Sequence, residues 1–141
     1  MNKDLLKEQL LLDEGEVLHA YQDSLGFWTI GVGRLIDARK GGGISHEEAM
    51  VLLDNDIADK VSALNARIPW WTALDDCRQR ALADMAFNLG VDGLIQWPHF
   101  LAAMKRGDWQ AAVGELRGTP WEGQVGDRAA RIEKMILMGE G

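Results

Sequence analysis

Between Val17 and Leu35 the chain crowds Tyr21, Phe27, Trp28, Thr29, Ile30 and Val32 around the run Asp23-Ser24-Leu25-Gly26. Aromatic and β-branched residues on both sides of a turn signal predict a β-hairpin. Gly31 and Gly33 then interrupt the second strand, as a bulge or the close approach of another group would require. Nothing after Ser45 repeats this pattern, and the remaining apolar residues fall at helical spacing. A β segment confined to the front and helices thereafter leave an α+β order. The chain then has a small N-terminal lobe with the hairpin, one connecting helix and an all-helical C-terminal lobe.

The helices have local reasons. Lys3 to Glu14 spaces Leu5, Leu6, Gln9 and Leu10 on one side, and Gly15 stands where a left-handed C-terminal cap belongs. After a polar Gly41-Gly42-Gly43 connection, Ser45 and Glu48 form a capping box that opens a helix reaching about Arg67. Its apolar stripe is Leu53, Ile57, Val61 and Leu64. Further helices are expected over Leu74 to Leu89, stopped by Gly90, and over Pro98 to Lys105. Two more run over Asp108 to Leu116 and Asp127 to Met138, with Asp108 and Asp127 as N-caps. With 141 residues the chain supports one core divided into lobes, at about 13–60 and at about 1–12 plus 70–141.

Charge and residue counts remove several functions. Fifteen basic against twenty-two acidic side chains give a net charge of −7, which disfavours nucleic acid and a stable membrane association alike. Cys77 is the only cysteine, and His19, His46 and His99 are far apart in sequence, so neither a disulfide nor a metal site is expected. The first residues interrupt their leucines with charges and do not read as an export signal.

Three residues invite chemistry. Glu14 ends the first helix, where the negative end of the macrodipole favours the protonated carboxyl that a general acid needs. A solvated surface glutamate is the plain alternative. Asp23 is equally at home as a turn former and Thr29 as an ordinary strand residue. Their order makes the pattern E-x8-D-x5-T, followed directly by Ile30-Gly31-Val32-Gly33.

That stretch, with Asp13-Glu14-Gly15, Tyr21-Gln22-Asp23 and Gly26-Phe27-Trp28-Thr29, resembles the catalytic segment of phage-type lysozymes. Ile44-Ser45-His46-Glu47-Glu48-Ala49 with Asp54-Asn55-Asp56 resembles their connecting-helix region, and the run from Ala81 to Gly90 their central C-terminal helix. Trp121, Gln124 and Arg128 repeat a W-x-x-Q-x-x-x-R pattern. The matches run in order from residue 13 to about 131.

The resemblance implies a lysozyme-like fold with its active cleft between the lobes. It also implies hydrolysis of the β-1,4 bond between N-acetylmuramic acid and N-acetylglucosamine in peptidoglycan. Glu14 would be the acid, and Asp23 with Thr29 would hold the attacking water on the opposite sugar face, giving inversion. Leu35, Phe87, Asn88, Trp121, Gln124 and Arg128 fall at substrate-binding positions. Arg128 would pair with Glu14 or help close the cleft; Arg34 departs from the family's pattern, standing where many relatives have His, and could still form a salt bridge with Asp56. No cofactor and no metal are implied, and the partner is the glycan strand of peptidoglycan, met by a monomer. An endolysin of this kind accumulates in the host cytoplasm and acts in the periplasm and cell wall after membrane permeabilisation. The acidic balance against an anionic wall calls for positive charge gathered near the cleft, or for polar and apolar contacts.

Two other functions fit parts of the pattern. A lytic transglycosylase uses a glutamate acid but lets the sugar's own hydroxyl attack, and so has no need of Asp23 and Thr29. A non-catalytic peptidoglycan-binding module has no reason to keep all three.

Overall fold

The computed structural model describes residues 2–36 and 43–139. It is an α+β fold, helical for most of its length, with one small antiparallel sheet. The chain separates into two compact units, Met1–Leu52 and Leu53–Gly141.

The first unit opens with α1 (Lys3–Glu14), whose N-terminal amides at Asp4 and Leu5 donate to the Asn2 side chain. Gly15 ends it with φ 72° but ψ 169°, so the chain leaves in an extended glycine conformation and not in the left-handed cap expected from sequence. Only Glu16 then separates it from β1 (Val17–Gln22), which pairs with β2 (Trp28–Gly31), and β2 with β3 (Arg34–Leu35). The expected hairpin is thus a three-stranded meander. Gly31 and Gly33, at φ 68° and 63°, flank Val32 where the chain turns from β2 into β3. Side chains with a β-carbon rarely adopt such angles, which is why glycines stand there. The bond from the Ile36 N–H to the Trp28 carbonyl, 2.9 Å, extends the short third strand.

Register fixes what each sheet face carries, because residues directly opposite one another project to the same side. Tyr21 opposes Thr29, and Thr29 opposes Leu35, so these three form one row across the sheet. Ile30 and Arg34, paired one position on, project to the other side, where Ile36, Ile44, Val51 and Leu52 line an apolar hollow. Val51 and Leu52 lie on α2 (His46–Arg67), which starts as the sequence predicts. The Ser45 N–H donates to Glu48 Oε2 at 2.9 Å, and the Glu48 N–H to Ser45 Oγ at 3.2 Å. Glu48 also accepts from the Arg34 guanidinium. Gly41 and Gly42 of the predicted connection lie outside the described residues.

The second unit continues α2 and adds a 3-10 turn (Pro69–Ala73), α3 (Asp76–Leu94), α4 (Pro98–Arg106), α5 (Trp109–Leu116), α6 (Pro120–Val125) and α7 (Asp127–Met138). Its core gathers Leu64, Leu82, Met85, Leu94, Phe100, Met104, Leu116, Ile132 and Ile136, all essentially closed to water. Each such side chain contributes about 1.5–3 kcal/mol of transfer free energy. Of the stripe expected on α2, Leu64 is fully buried and Val61 packs against the core, whereas Leu53 and Ile57 are exposed. Trp71 and Trp121 are core residues, and Trp70, Trp97 and Trp109 pack against the core part-buried.

Gly90 stops the helix as expected: at φ 73° and ψ 156° it is non-helical, and a second helical stretch follows directly and buries Val91 and Leu94. Two features differ from expectation. Asp127 lies inside the first turn of α7, and Gly126 is the N-cap. The short α6, absent from the sequence reading, is capped by the Thr119 side chain and starts on Pro120.

Candidate active site

Glu14, Tyr21, Asp23, Phe27, Thr29, Gly33 and Leu35 line a concavity of about 400 Å³ in the first unit. Residues up to 21 positions apart in sequence therefore meet, and the reasons are local. The sheet register supplies Tyr21, Thr29 and Leu35 as one row. Asp23 follows Tyr21 by two residues at the strand's end, and Glu14 arrives from the last turn of α1.

Asp23 builds the hairpin tip that carries it. Its backbone N–H donates to the Phe27 carbonyl at 2.9 Å, and its carbonyl accepts from the Gly26 N–H at 3.0 Å. Its side-chain Oδ1 accepts from the N–H groups of Leu25 and Phe27, both at 2.9 Å. An aspartate accepting from amides two and four residues ahead closes the loop upon itself. Both of those bonds fall on Oδ1, so the second oxygen of the carboxylate is the one a ligand can use.

Thr29 sits on the central strand and is only 5% exposed, the one buried polar residue among those described. Its Oγ1 donates to the Phe27 carbonyl at 3.3 Å. That orients the hydroxyl proton toward the backbone and leaves the oxygen lone pairs for an incoming donor. Glu14, by contrast, is exposed at the helix end. Its carboxyl lies against the bare α-carbon of Gly33: a β-carbon built there would come within 2.6 Å of Glu14 Oε2. No Lys, Arg or His is among the described residues that line this concavity. The arrangement places two carboxyls, the hydroxyls of Thr29 and Tyr21 and two aromatic rings around one opening. Such a set can deliver a proton, hold a water and present ring faces to a sugar.

The sequence pattern named Glu14, Asp23, Thr29 and Leu35, and the structure brings those four together. It did not name Tyr21, Phe27 or Gly33 as site residues. Tyr21 had a readable signal in its two-residue spacing from Asp23, and Gly33 in its place two residues after Gly31.

The other expected site residues belong to the second unit. Phe87, which is 40% exposed, and Arg128 line a concavity of about 380 Å³ with Asp84, Lys60, Arg80 and the apolar side chains of Leu53, Ile57 and Val61. Within the second unit Arg128 Nε donates to Asp84 Oδ1 at 2.6 Å and its terminal nitrogen to the Asp84 carbonyl at 3.1 Å. Trp121 is buried beside Trp97, and its Nε1 donates to Asn88 Oδ1 at 2.9 Å. This bond fixes the Asn88 amide, whose NH2 group remains the donor end. Gln124 is exposed on α6.

A family model described as phage lysozyme matches residues 12–133. The chain is 33% identical, over 95% of its length, to the pre-baseplate central spike protein Gp5 of Enterobacteria phage T4, and spans 28% of that protein. It is 25% identical, again over 95% of its length, to the probable T4-type lysozyme 1 of Dictyostelium discoideum, covering 94% of it. To the endolysin of Acyrthosiphon pisum secondary endosymbiont phage 1 it is 31% identical over 73% of its length, covering 68% of that relative.

Proposed function

The chain belongs to the phage lysozyme family, and from that premise we propose that it is a muramidase. Its substrate is the β-1,4 bond between N-acetylmuramic acid and N-acetylglucosamine in peptidoglycan. The observation that carries the reading is the meeting of Glu14, Asp23 and Thr29 around one opening.

In this mechanism protonated Glu14 gives its proton to the glycosidic oxygen as the bond from the muramic anomeric carbon breaks. Positive charge grows on that carbon and its ring oxygen. A water held by Asp23 and by Thr29 Oγ1 attacks from the opposite face, and Asp23 takes the water's proton. Glu14 is left as carboxylate, and exchange with solvent restores both groups. Asp23 suits this division of labour because Oδ1 is committed to the turn, which fixes the carboxylate's orientation before substrate arrives. Leu35, in the row with Thr29 and Tyr21, is proposed to meet the sugar's apolar face.

In the second unit Phe87, Asn88 and Gln124 are proposed to touch the glycan strand, Asn88 through the NH2 group that Trp121 leaves available. Trp121 and Arg128 would act behind them. The endolysin among the relatives favours action at a bacterial wall. A lytic transglycosylase is the second reading; the presence of Asp23 and Thr29 beside Glu14 favours water over an internal hydroxyl as nucleophile.

The test is digestion of purified sacculi by the wild type and by Glu14→Gln, with reducing ends assayed. Gln keeps the size of Glu and removes the transferable proton. Reducing muramic ends from the wild type and loss of at least about 100-fold in the variant are expected, within the range for a lost general acid. Undiminished release by Glu14→Gln, or anhydro-muramic ends from the wild type, would overturn the reading.

A further inference from the structure

Glu14 presents a difficulty for any catalytic role. Its side chain is long, it is exposed at a helix end, and no hydrogen bond or ion pair holds it among the described residues of the first unit. A free glutamate samples several rotamers, and an acid that wanders is a poor catalyst. What touches it is the turn between β2 and β3. A β-carbon at Gly33 would fall 2.6 Å from Oε2, 2.9 Å from Cδ and 3.1 Å from Cγ of Glu14. These distances all bear on the carboxyl end of the side chain. The contact exists only because residue 33 has no side chain.

We infer that Gly33 is a positioning residue for Glu14: its bare α-carbon forms the seat against which the carboxyl rests, and any side chain there displaces the acid. The inference rests on the muramidase reading above. It adds that the second glycine of Gly31-Val32-Gly33 serves the chemistry, whereas the first serves the backbone alone. Gly31 supplies the contrast. At φ 68° it is as left-handed as Gly33 at 63°, yet a β-carbon there would meet nothing within 4 Å. Alanine at either position is strained by the positive φ. Only at position 33 does it also collide with the acid.

The collision has a size. Ordinary contact begins at about 3.4 Å, so the carboxylate oxygen must retreat by about 0.8 Å from the 2.6 Å approach. A misplacement near 1 Å costs on the order of 100-fold in rate.

The experiment compares Gly33→Ala and Gly31→Ala in kcat and KM on purified glycan strands, at a temperature where circular dichroism shows both folded. Gly33→Ala is expected to lose about 10–100-fold in kcat with KM within about twofold, and Gly31→Ala to stay within about threefold in both. Should Gly33→Ala not fold, Gly33→Asn takes its place. Asn tolerates the left-handed region best of the residues with a β-carbon, and its β-carbon meets Glu14 in the same way. Equal kcat losses at positions 31 and 33 would overturn the inference, as would wild-type kcat in the folded position-33 variant. Glu14→Gln assayed alongside separates the two ideas. If it is inactive while Gly33→Ala matches Gly31→Ala, Gly33 loses its role and the muramidase reading stands; if it is fully active, the reading itself falls.

Discussion

Asp23 is asked to do two jobs, and substitution separates them. Asp23→Ala removes the acceptor for the Leu25 and Phe27 amides, both bonded at 2.9 Å, and also removes the carboxylate. Asp23→Asn keeps an oxygen at the Oδ1 position and removes only the charge. Bonds from backbone amides to an ionised acceptor contribute about 1.5–3 kcal/mol each when well shielded; in a part-exposed turn about 1 kcal/mol each is reasonable. Asp23→Ala therefore costs about 2 kcal/mol and Asp23→Asn about half that or less. At roughly 3–5 °C per kcal/mol for a chain of this length, Tm falls by about 6–10 °C for Ala and under about 5 °C for Asn. Hydrogen exchange gives the sharper reading, since Leu25 and Phe27 amides should exchange faster in Asp23→Ala than in Asp23→Asn. Hydrolysis follows a different rule. If the carboxylate takes the water's proton, both variants lose about 100-fold or more in kcat. Equal exchange rates and equal Tm for the two variants would refute the turn-closing role. An Asp23→Asn enzyme at wild-type kcat would refute the role in handling water.

Thr29→Val keeps the shape of a buried side chain and deletes its hydroxyl, whose only hydrogen bond among the described residues is a long one of 3.3 Å. Tm is expected to stay within a few degrees while kcat falls about 10–100-fold, whereas Thr29→Ser retains most activity; calorimetry beside a reducing-end assay checks both. Asp75, the N-cap of α3, titrates abnormally. Burial pushes its carboxyl up, but hydrogen bonds from the Arg78 guanidinium and backbone N–H, with the charge of Arg78, hold it below the ordinary 3.8. A carboxyl depressed by folding adds stability above its unfolded value and loses it as pH falls through the folded one. The stability gap between the wild type and Asp75→Asn should thus be constant well above pH 3.8 and shrink below it, as chemical denaturation across pH will measure.

How much of this was legible beforehand depended on the range over which each signal acts. Ser45 with Glu48 was read correctly because a capping box is a four-residue code, complete in the local sequence. The same code stands at Thr119-x-x-Glu122 ahead of α6 and was passed over because the helix it opens is only six residues long. There Thr119 Oγ1 accepts from the Glu122 N–H, and Glu122 Oε2 accepts from the Gly118 N–H. β3 was missed for a related reason, since two residues carry no periodicity. Gly90 is legible as a stop because glycine takes positive φ at no cost, whereas the short helical stretch beyond it, which buries Val91 and Leu94, is too brief to show a period.

In the candidate site, the glycine pair was legible as a bulge or a close approach, but not what approaches. That needed Glu14 and Gly33 in space, nineteen positions apart. Arg34 and Arg128 show the same limit. Within its own unit each meets a carboxylate, Glu48 and Asp84, that the sequence pattern did not offer as its partner. Charge partners are chosen by distance in three dimensions, and one-dimensional spacing constrains them weakly beyond a helical turn.

The central claim is that Glu14 protonates the bond while Asp23 and Thr29 deliver a water from the opposite face. Proton NMR of glycan strands during the first moments of digestion, before mutarotation, reads that stereochemistry at the newly freed muramic carbon. A β-linked substrate attacked this way gives the α anomer first. Initial appearance of the β anomer would mean a double displacement, and a 1,6-anhydro end would mean that no water attacks at all; either would contradict the account.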